Sequence, residues 1–275
     1  MMGAVSMPPI EQVIDRARAR LLDRGSDAHA SFEVYEDEHY RWLQNRDGTL
    51  HSLMDRRAPE RLVLPYTNAM MAGLLFVEDA RSVLMLGLGG ASQARFLRHH
   101  FPDVRITAWE SDAQVIDMAR RHFGLDDANG SILIVNQDVR AGIAGAGPAA
   151  DLVLLDLFDA DGLPAWLREP DVYALCRRQL APDGVLAANL WVDGDDEFLG
   201  VMDGIQAVFE SRTLVLCVPG YRNLVVLAFA SRPRLDFAGL HARAAALGAR
   251  TDLDCAALLD ALRESNYTDA NGFVF

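Results

Sequence analysis

The chain predicts an α/β fold: a doubly wound parallel sheet, preceded by a small β unit at the N-terminus. Three observations carry this. From residue 82 onward, short apolar runs alternate with helix-periodic stretches. The first five of those runs are apolar at nearly every position, as strands buried on both faces should be. Before residue 77, apolar and polar residues alternate around an Asp47-Gly48 pair, a hairpin signal.

Taken in order, residues 9 to 23 place Ile10, Val13, Ile14, Ala17, Leu21 and Leu22 at helical spacing behind Pro8 and Pro9, which predicts an N-terminal helix. The alternating stretch SFEVYEDEHYRWLQNRDGTLHSLMD predicts the hairpin, and RLVLPYTNAMMAGLLF predicts a strand or turn passing into a helix. We read residues 1–76 as an N-terminal helix and β-hairpin domain and 77–275 as a Rossmann-like domain. Strands are expected at 82–87, 104–110, 132–137, 151–156, 184–191, 213–218 and 223–230. Only PGYR joins the last two, too short for a parallel crossover, so they should run antiparallel. Five parallel strands followed by a hairpin is the class I methyltransferase-like arrangement of a seven-stranded sheet. Residues 235 to 265 read as helical.

Composition narrows the function classes. The 275 residues, 51% hydrophobic, suffice for one large core with a small appendage. A net charge of −13 repels a phosphate backbone, so nucleic-acid binding is not expected; solubility or a cationic substrate fits. All 26 basic residues are arginine, which removes the phosphate-loop lysine, Schiff-base chemistry and a pyridoxal phosphate anchor. Cys176, Cys217 and Cys255 stand far apart, with neither a disulfide framework nor zinc spacing, so a reducing cytoplasm and no metal are expected. Charged residues interrupt the first twenty positions before any signal-peptide core could form, and no apolar run approaches a membrane span.

Ligands of such sheets bind at the carboxyl ends of the strands. The first strand ends in Gly87-Leu88-Gly89-Gly90, where the backbone can turn tightly and approach a ligand. The second ends in Glu110, 23 residues after the first glycine, placed to accept from both ribose hydroxyls of a nucleoside. After the third, Asp138 could accept from an adenine amino group or cap the following helix. The fourth ends in DLFDADG; Asp156, Asp159 and Asp161 crowd together, suiting a base with a raised pKa, a cationic substrate, or an Asp-rich turn. Trp191 and Phe158 could flank a flat base or belong to the core. A dinucleotide fingerprint wants a glycine where Ser92 stands, which favours an adenosyl nucleoside.

Over most of its length the chain resembles the polyamine aminopropyltransferases, the spermidine synthase family, with some likeness to its spermidine synthase-like branch. DGTLHSLMDRRAPERLVLPYTNAMM sits where that family has a DG turn, a Gln and a Tyr-His-Glu motif. Tyr66 matches the tyrosine, His51 stands at the Gln, and Thr67 and Asn68 replace the His-Glu pair. VLMLGLGGASQARFLR aligns with the glycine loop; Arg95 is retained, while Gly90 and Phe96 replace two carboxylates of the substrate side. AWESD supplies the ribose acid Glu110, NQDVR the adenine-side Asp138, and DLFDADGLP the signature acids Asp156 and Asp159, with Ala160 at its proline. The resemblance implies catalytic Asp156, Asp159 and Tyr66, and a cosubstrate site of Gly87, Gly89, Gly90, Glu110, Asp138 and His51. The implied cosubstrate is decarboxylated S-adenosylmethionine, leaving as methylthioadenosine, with an amine or polyamine acceptor. A cytoplasmic homodimer without membrane or nucleic-acid partners is expected. The altered residues leave open two rivals: a methyltransferase using intact S-adenosylmethionine, for which Arg95 and Gln93 would meet the carboxylate, and a non-catalytic nucleoside binder.

Overall fold

The computed structural model describes residues 13–25, 32–125, 130–142, 149–158, 163–191 and 194–275. Two sheets organise them. The first is an antiparallel meander of β1 (Arg20–Arg24), β2 (Phe32–Glu36), β3 (Tyr40–Asn45) and β4 (Leu50–Asp55), in that order. The Asp47-Gly48 turn joins β3 to β4: Gly48 takes φ +93°, and its N–H donates to the Asn45 carbonyl.

Of the helix expected over residues 9 to 23, residues 9–12 lie outside the described residues, Val13 is helical and the helix goes no further, and Arg20–Arg24 is β1. Cross-strand pairing overrides the helical spacing. Arg20 stands directly opposite Glu36 and Arg24 opposite Glu33, at 2.5 Å and 2.7 Å, and these pairs exist only in the strand. The expected hairpin is thus the last half of a four-stranded sheet. Burial alone would push the Glu36 carboxyl up, but hydrogen bonds from Arg20 and Arg41, with the charge of Arg56, hold it at about 2.

The link to the second sheet is α1 (Pro65–Met70), with proline at its first position, continued by a 3₁₀ turn, Met71–Leu75. The second sheet has seven strands: β5 (Ser82–Leu86), β6 (Arg105–Glu110), β7 (Ile132–Asn136), β8 (Ala150–Leu155), β9 (Leu180–Trp191), β10 (Thr213–Cys217) and β11 (Asn223–Phe229). Their order is β10-β11-β9-β8-β5-β6-β7, with β5 to β9 parallel and the β10–β11 hairpin antiparallel. All seven expected strands are present.

The continuous apolar runs have their cause in two cores. Val83 and Met85 of β5 and Leu152 and Leu154 of β8 face one; Leu84, Leu86, Val153 and Leu155 face the other. Helices α2 (Ser92–His100) and α3 (Ala113–His122) cover the first core, joined by α7 (Phe237–Arg250) and α8 (Cys255–Ser265). Helices α5 (Pro170–Gln179) and α6 (Asp195–Phe209) cover the second; the short α4 (Val139–Gly142) follows β7. The chain reverses its winding between β5 and β8, and a crevice opens at the carboxyl ends of such a pair. Cys176, Cys217 and Cys255 are all free thiols. Among the described residues no helix is long and apolar enough to cross a membrane, and no group of metal-ligating side chains gathers.

Candidate active site

A cavity of about 300 Å³ lies at that crevice, between the carboxyl ends of the large sheet and the inner face of the small one. Its walls include Phe32, His51 and Ser52 from the small sheet, Tyr66 and Thr67 from α1, Gly87 to Gly89, Glu110 to Asp112, and Asp156 to Phe158.

The glycine turn is dictated by its neighbour. A Cβ on Gly87, at φ +99°, would stand 2.1 Å from the Asp156 carbonyl oxygen, so no other residue fits there. Gly89 also has a positive φ, +51°. Gly90 has a different task from the one expected: it does not line the cavity, and its N–H donates to Ser52 Oγ at 2.7 Å. A Cβ there would meet Ser52 Cβ at 2.8 Å, so this position seats the small sheet on the large one.

Glu110 faces the cavity. Burial raises its pKa, opposed by N–H groups of Asp112, Leu88 and Gly89. The Leu88 N–H donates to one carboxylate oxygen at 3.1 Å and that of Asp112 to the other at 3.0 Å. These bonds fix the carboxylate and leave lone pairs on both oxygens for two further donors, the requirement for a ribose diol. Asp138, by contrast, does not line the cavity. It pairs with Arg140 at 2.6 Å and accepts from the Arg140 N–H, which is the capping role. The Arg140 pairing, opposed by burial, lowers its pKa.

Asp156 follows β8 directly and lines the cavity. Burial pushes its pKa up to about 6, against hydrogen bonds from Asn189 and Tyr66. The Tyr66 hydroxyl, also 3.4 Å from the His51 carbonyl, has its pKa raised by burial and by Asp156, so it stays protonated and donates. Asp159 lies outside the described residues. His51 lines the cavity with its ring edge-on to Phe32; its buried Nε2 has no partner. Burial lowers its pKa, against the charge of Asp47, which keeps the ring neutral.

The substituted positions are structurally occupied. Thr67 Oγ1 donates to the Leu64 carbonyl at 2.6 Å, and Asn68 Nδ2 reaches the Leu62 and Leu64 carbonyls, tying down the start of α1. Phe96 is fully buried against Phe101. The Arg95 guanidinium clamps the carbonyls of Pro59, Gly90 and Phe123, and Gln93 Nε2 contacts Met70 Sδ at 2.9 Å. Burial lowers the Arg95 pKa to about 10, leaving it charged at neutral pH. Arg95 does not line the cavity and is held by those carbonyls, whereas Gln93 lines it and keeps a second amide N–H beyond the Met70 contact. Sequence reasoning missed Ser52, and it gave no role to Asn189 or Asn223; their signal, polar residues inside otherwise apolar strands, was visible in NLW and RNLVV.

A curated polyamine aminopropyltransferase from Chromobacterium violaceum is 32% identical over 245 residues, 89% of this chain and 94% of its own. The chain belongs to the polyamine aminopropyltransferase family. This member shares its fold with a probable spermidine synthase from Corynebacterium glutamicum, at TM-score 0.67 and 20% identity over 90% of this chain and 98% of that one. The fold also extends to human methyltransferase-like protein 13, solved with SAH, at TM-score 0.61 and 23% identity over 76% of this chain and 96% of that one. No family model matches.

Proposed function

We propose that this family member transfers an aminopropyl group from decarboxylated S-adenosylmethionine to an amine. The charge of the cavity carries the reading. Its described ionisable lining consists of Glu110, Asp112 and Asp156, with a neutral His51 and a protonated Tyr66, while Arg95 is spent on backbone carbonyls and the Gln93 amide is left as an uncharged donor. Such a wall suits a cosubstrate whose side chain ends in an ammonium and disfavours one ending in a carboxylate. The remaining fit is local. Glu110 keeps two acceptors for the ribose, Gly87 and Gly89 let the backbone approach, and His51 Nε2 awaits a polar partner.

An ammonium cannot attack carbon. Asp156, ionised above about pH 6 and steadied by Tyr66, accepts the acceptor's proton. The freed nitrogen pair then forms the N–C bond at the carbon beside the sulfonium. The C–S bond breaks with its electron pair on sulfur, and methylthioadenosine leaves. Alignment of nitrogen, carbon and sulfur can supply roughly 7–11 kcal/mol of the barrier. Asp159 is assigned to the donor's ammonium, and Asp138 to the adenine amino group once released from Arg140. The acceptor side is diverged: with Gly90 against Ser52 and Phe96 in the core, putrescine should be a poor acceptor. A cytoplasmic homodimer completes the proposal.

The test is chromatography of methylthioadenosine and S-adenosylhomocysteine after mixing the protein with either cosubstrate and a panel of amines. Release from the decarboxylated form alone, with little spermidine made from putrescine, is the expected result. Methyl transfer from intact S-adenosylmethionine would establish the methyltransferase instead. Tight nucleoside binding without product would leave a binding protein. Rapid spermidine formation would show that another acid holds the distal amine.

A further inference from the structure

We propose that Asn189 and Asn223 form a two-amide relay that positions the Asp156 carboxylate, Asn189 by donating to it and Asn223 by fixing which way the Asn189 amide faces. The inference rests on the role given to Asp156 above.

Asn189 is 1% exposed and Asn223 5%, in strands whose other side chains are almost all apolar. Asn189 Nδ2 donates to Asp156 Oδ1 at 2.9 Å, and Asn223 Nδ2 donates to Asn189 Oδ1 at 3.0 Å. The register builds this line. Leu155 of β8 pairs with Ala188 of β9, so the next residues, Asp156 and Asn189, stand side by side. On the antiparallel side Asn189 pairs with Val225 and Asn223 with Trp191, which makes Asn189 and Asn223 diagonal neighbours on one face.

An amide is nearly symmetric in shape but opposite in charge at its two ends. Turned over, Asn189 would set its oxygen against the Asp156 carboxylate and its NH₂ against that of Asn223. The Asn223 donor forbids this. A residue with no contact to the carboxylate thereby holds one of its oxygens in a fixed bond and favours its ionised form. From the other elements around Asp156, the described titratable groups are Tyr66 on α1, in contact, and His51, Glu110 and Asp112 elsewhere on the cavity wall. None of these hydrogen-bonds either asparagine, and Asp159 and Asp161 lie outside the described residues.

The readout is the titration of Asp156 itself, by carbon-13 NMR of carboxyl-labelled protein, with the resonance assigned by its loss in Asp156→Asn. Asn189→Leu removes the donor and should move the midpoint up by about one to two pH units. Asn223→Leu leaves every contact of Asp156 in place and should move it up by roughly half a unit to one unit. Asn223→Ser, keeping a hydroxyl donor, should restore part of the shift. If Asn189→Leu does not fold, the Asn223 pair decides alone. The acid limb of kcat/KM for methylthioadenosine release should follow the same order. An unmoved midpoint in Asn223→Leu, or one equal in the Leu and Ser variants, overturns the relay. A parent without turnover refutes the proposed function, while the NMR midpoints still judge the relay.

Discussion

In the proposed reading Asp156 joins two demands, because its carboxylate is buried and yet must be ionised to accept a proton. Burial pushes it up to about 6. Activity should therefore fall as pH drops through that value. Stability has the opposite sign. The folded state holds the proton more tightly than the unfolded chain, so the advantage is present below the ordinary carboxylate value and is lost as pH rises to about 6. Asp156→Asn should cut turnover by roughly 10²–10⁴-fold while raising the melting temperature at pH 8. Calorimetric melts at pH 4, where the gain should vanish, complete the check. In the same reading Glu110 only binds: Glu110→Ala should weaken methylthioadenosine binding by about 1.5–3 kcal/mol, measured by titration calorimetry, and equal affinity would remove the ribose assignment. At this scale strand-end position and spacing marked out both of these acids, which line the cavity. For Asp138 the sequence left the adenine and capping roles open, and the capping one is seen, with the Arg140 side chain adding a second hold on the carboxylate.

The elements were legible where burial is two-sided. β5 and β8 show it, each strand alternating between two cores, so no polar residue interrupts VLML or LVLL. The small sheet was legible only around Asp47-Gly48, because its other pairings depend on charges that meet across strands. Arg20 with Glu36 has no local signature, and helical spacing in residues 9 to 23 misleads for that reason. The strand-to-helix element after β5 is the most constrained of all. Gly87→Ala forces a Cβ to 2.1 Å from the Asp156 carbonyl, so β5 and β8 must separate where nucleoside site and base adjoin. The expected result is loss of binding and turnover together, with destabilisation above about 2 kcal/mol in urea titration. A variant that lost affinity alone would show that the turn can shift without disturbing Asp156.

Across the whole molecule, the cavity exists only because the two sheets are held at a set distance. Asp23 on β1 bonds His122 Nε2 at 2.7 Å and Arg121 at 2.6 Å at the end of α3, and Arg41 on β3 holds the His122 carbonyl. Asp23→Ala should loosen this clasp, weaken methylthioadenosine binding by about 1–2 kcal/mol, and speed hydrogen exchange in β1 and β2. Unchanged exchange would mean that the sheets are held elsewhere. The seat of Ser52 on Gly90 then has a consequence for the order in which substitutions can accumulate. Gly90→Asp by itself drives a Cβ to 2.8 Å from Ser52 Cβ, so it is barred as a first step. Ser52→Gly opens the room, while removing the acceptor of the Gly90 N–H, and must come earlier. An acidic residue at position 90 is therefore separated from this chain by two ordered changes, the first of which brings no benefit until the second arrives.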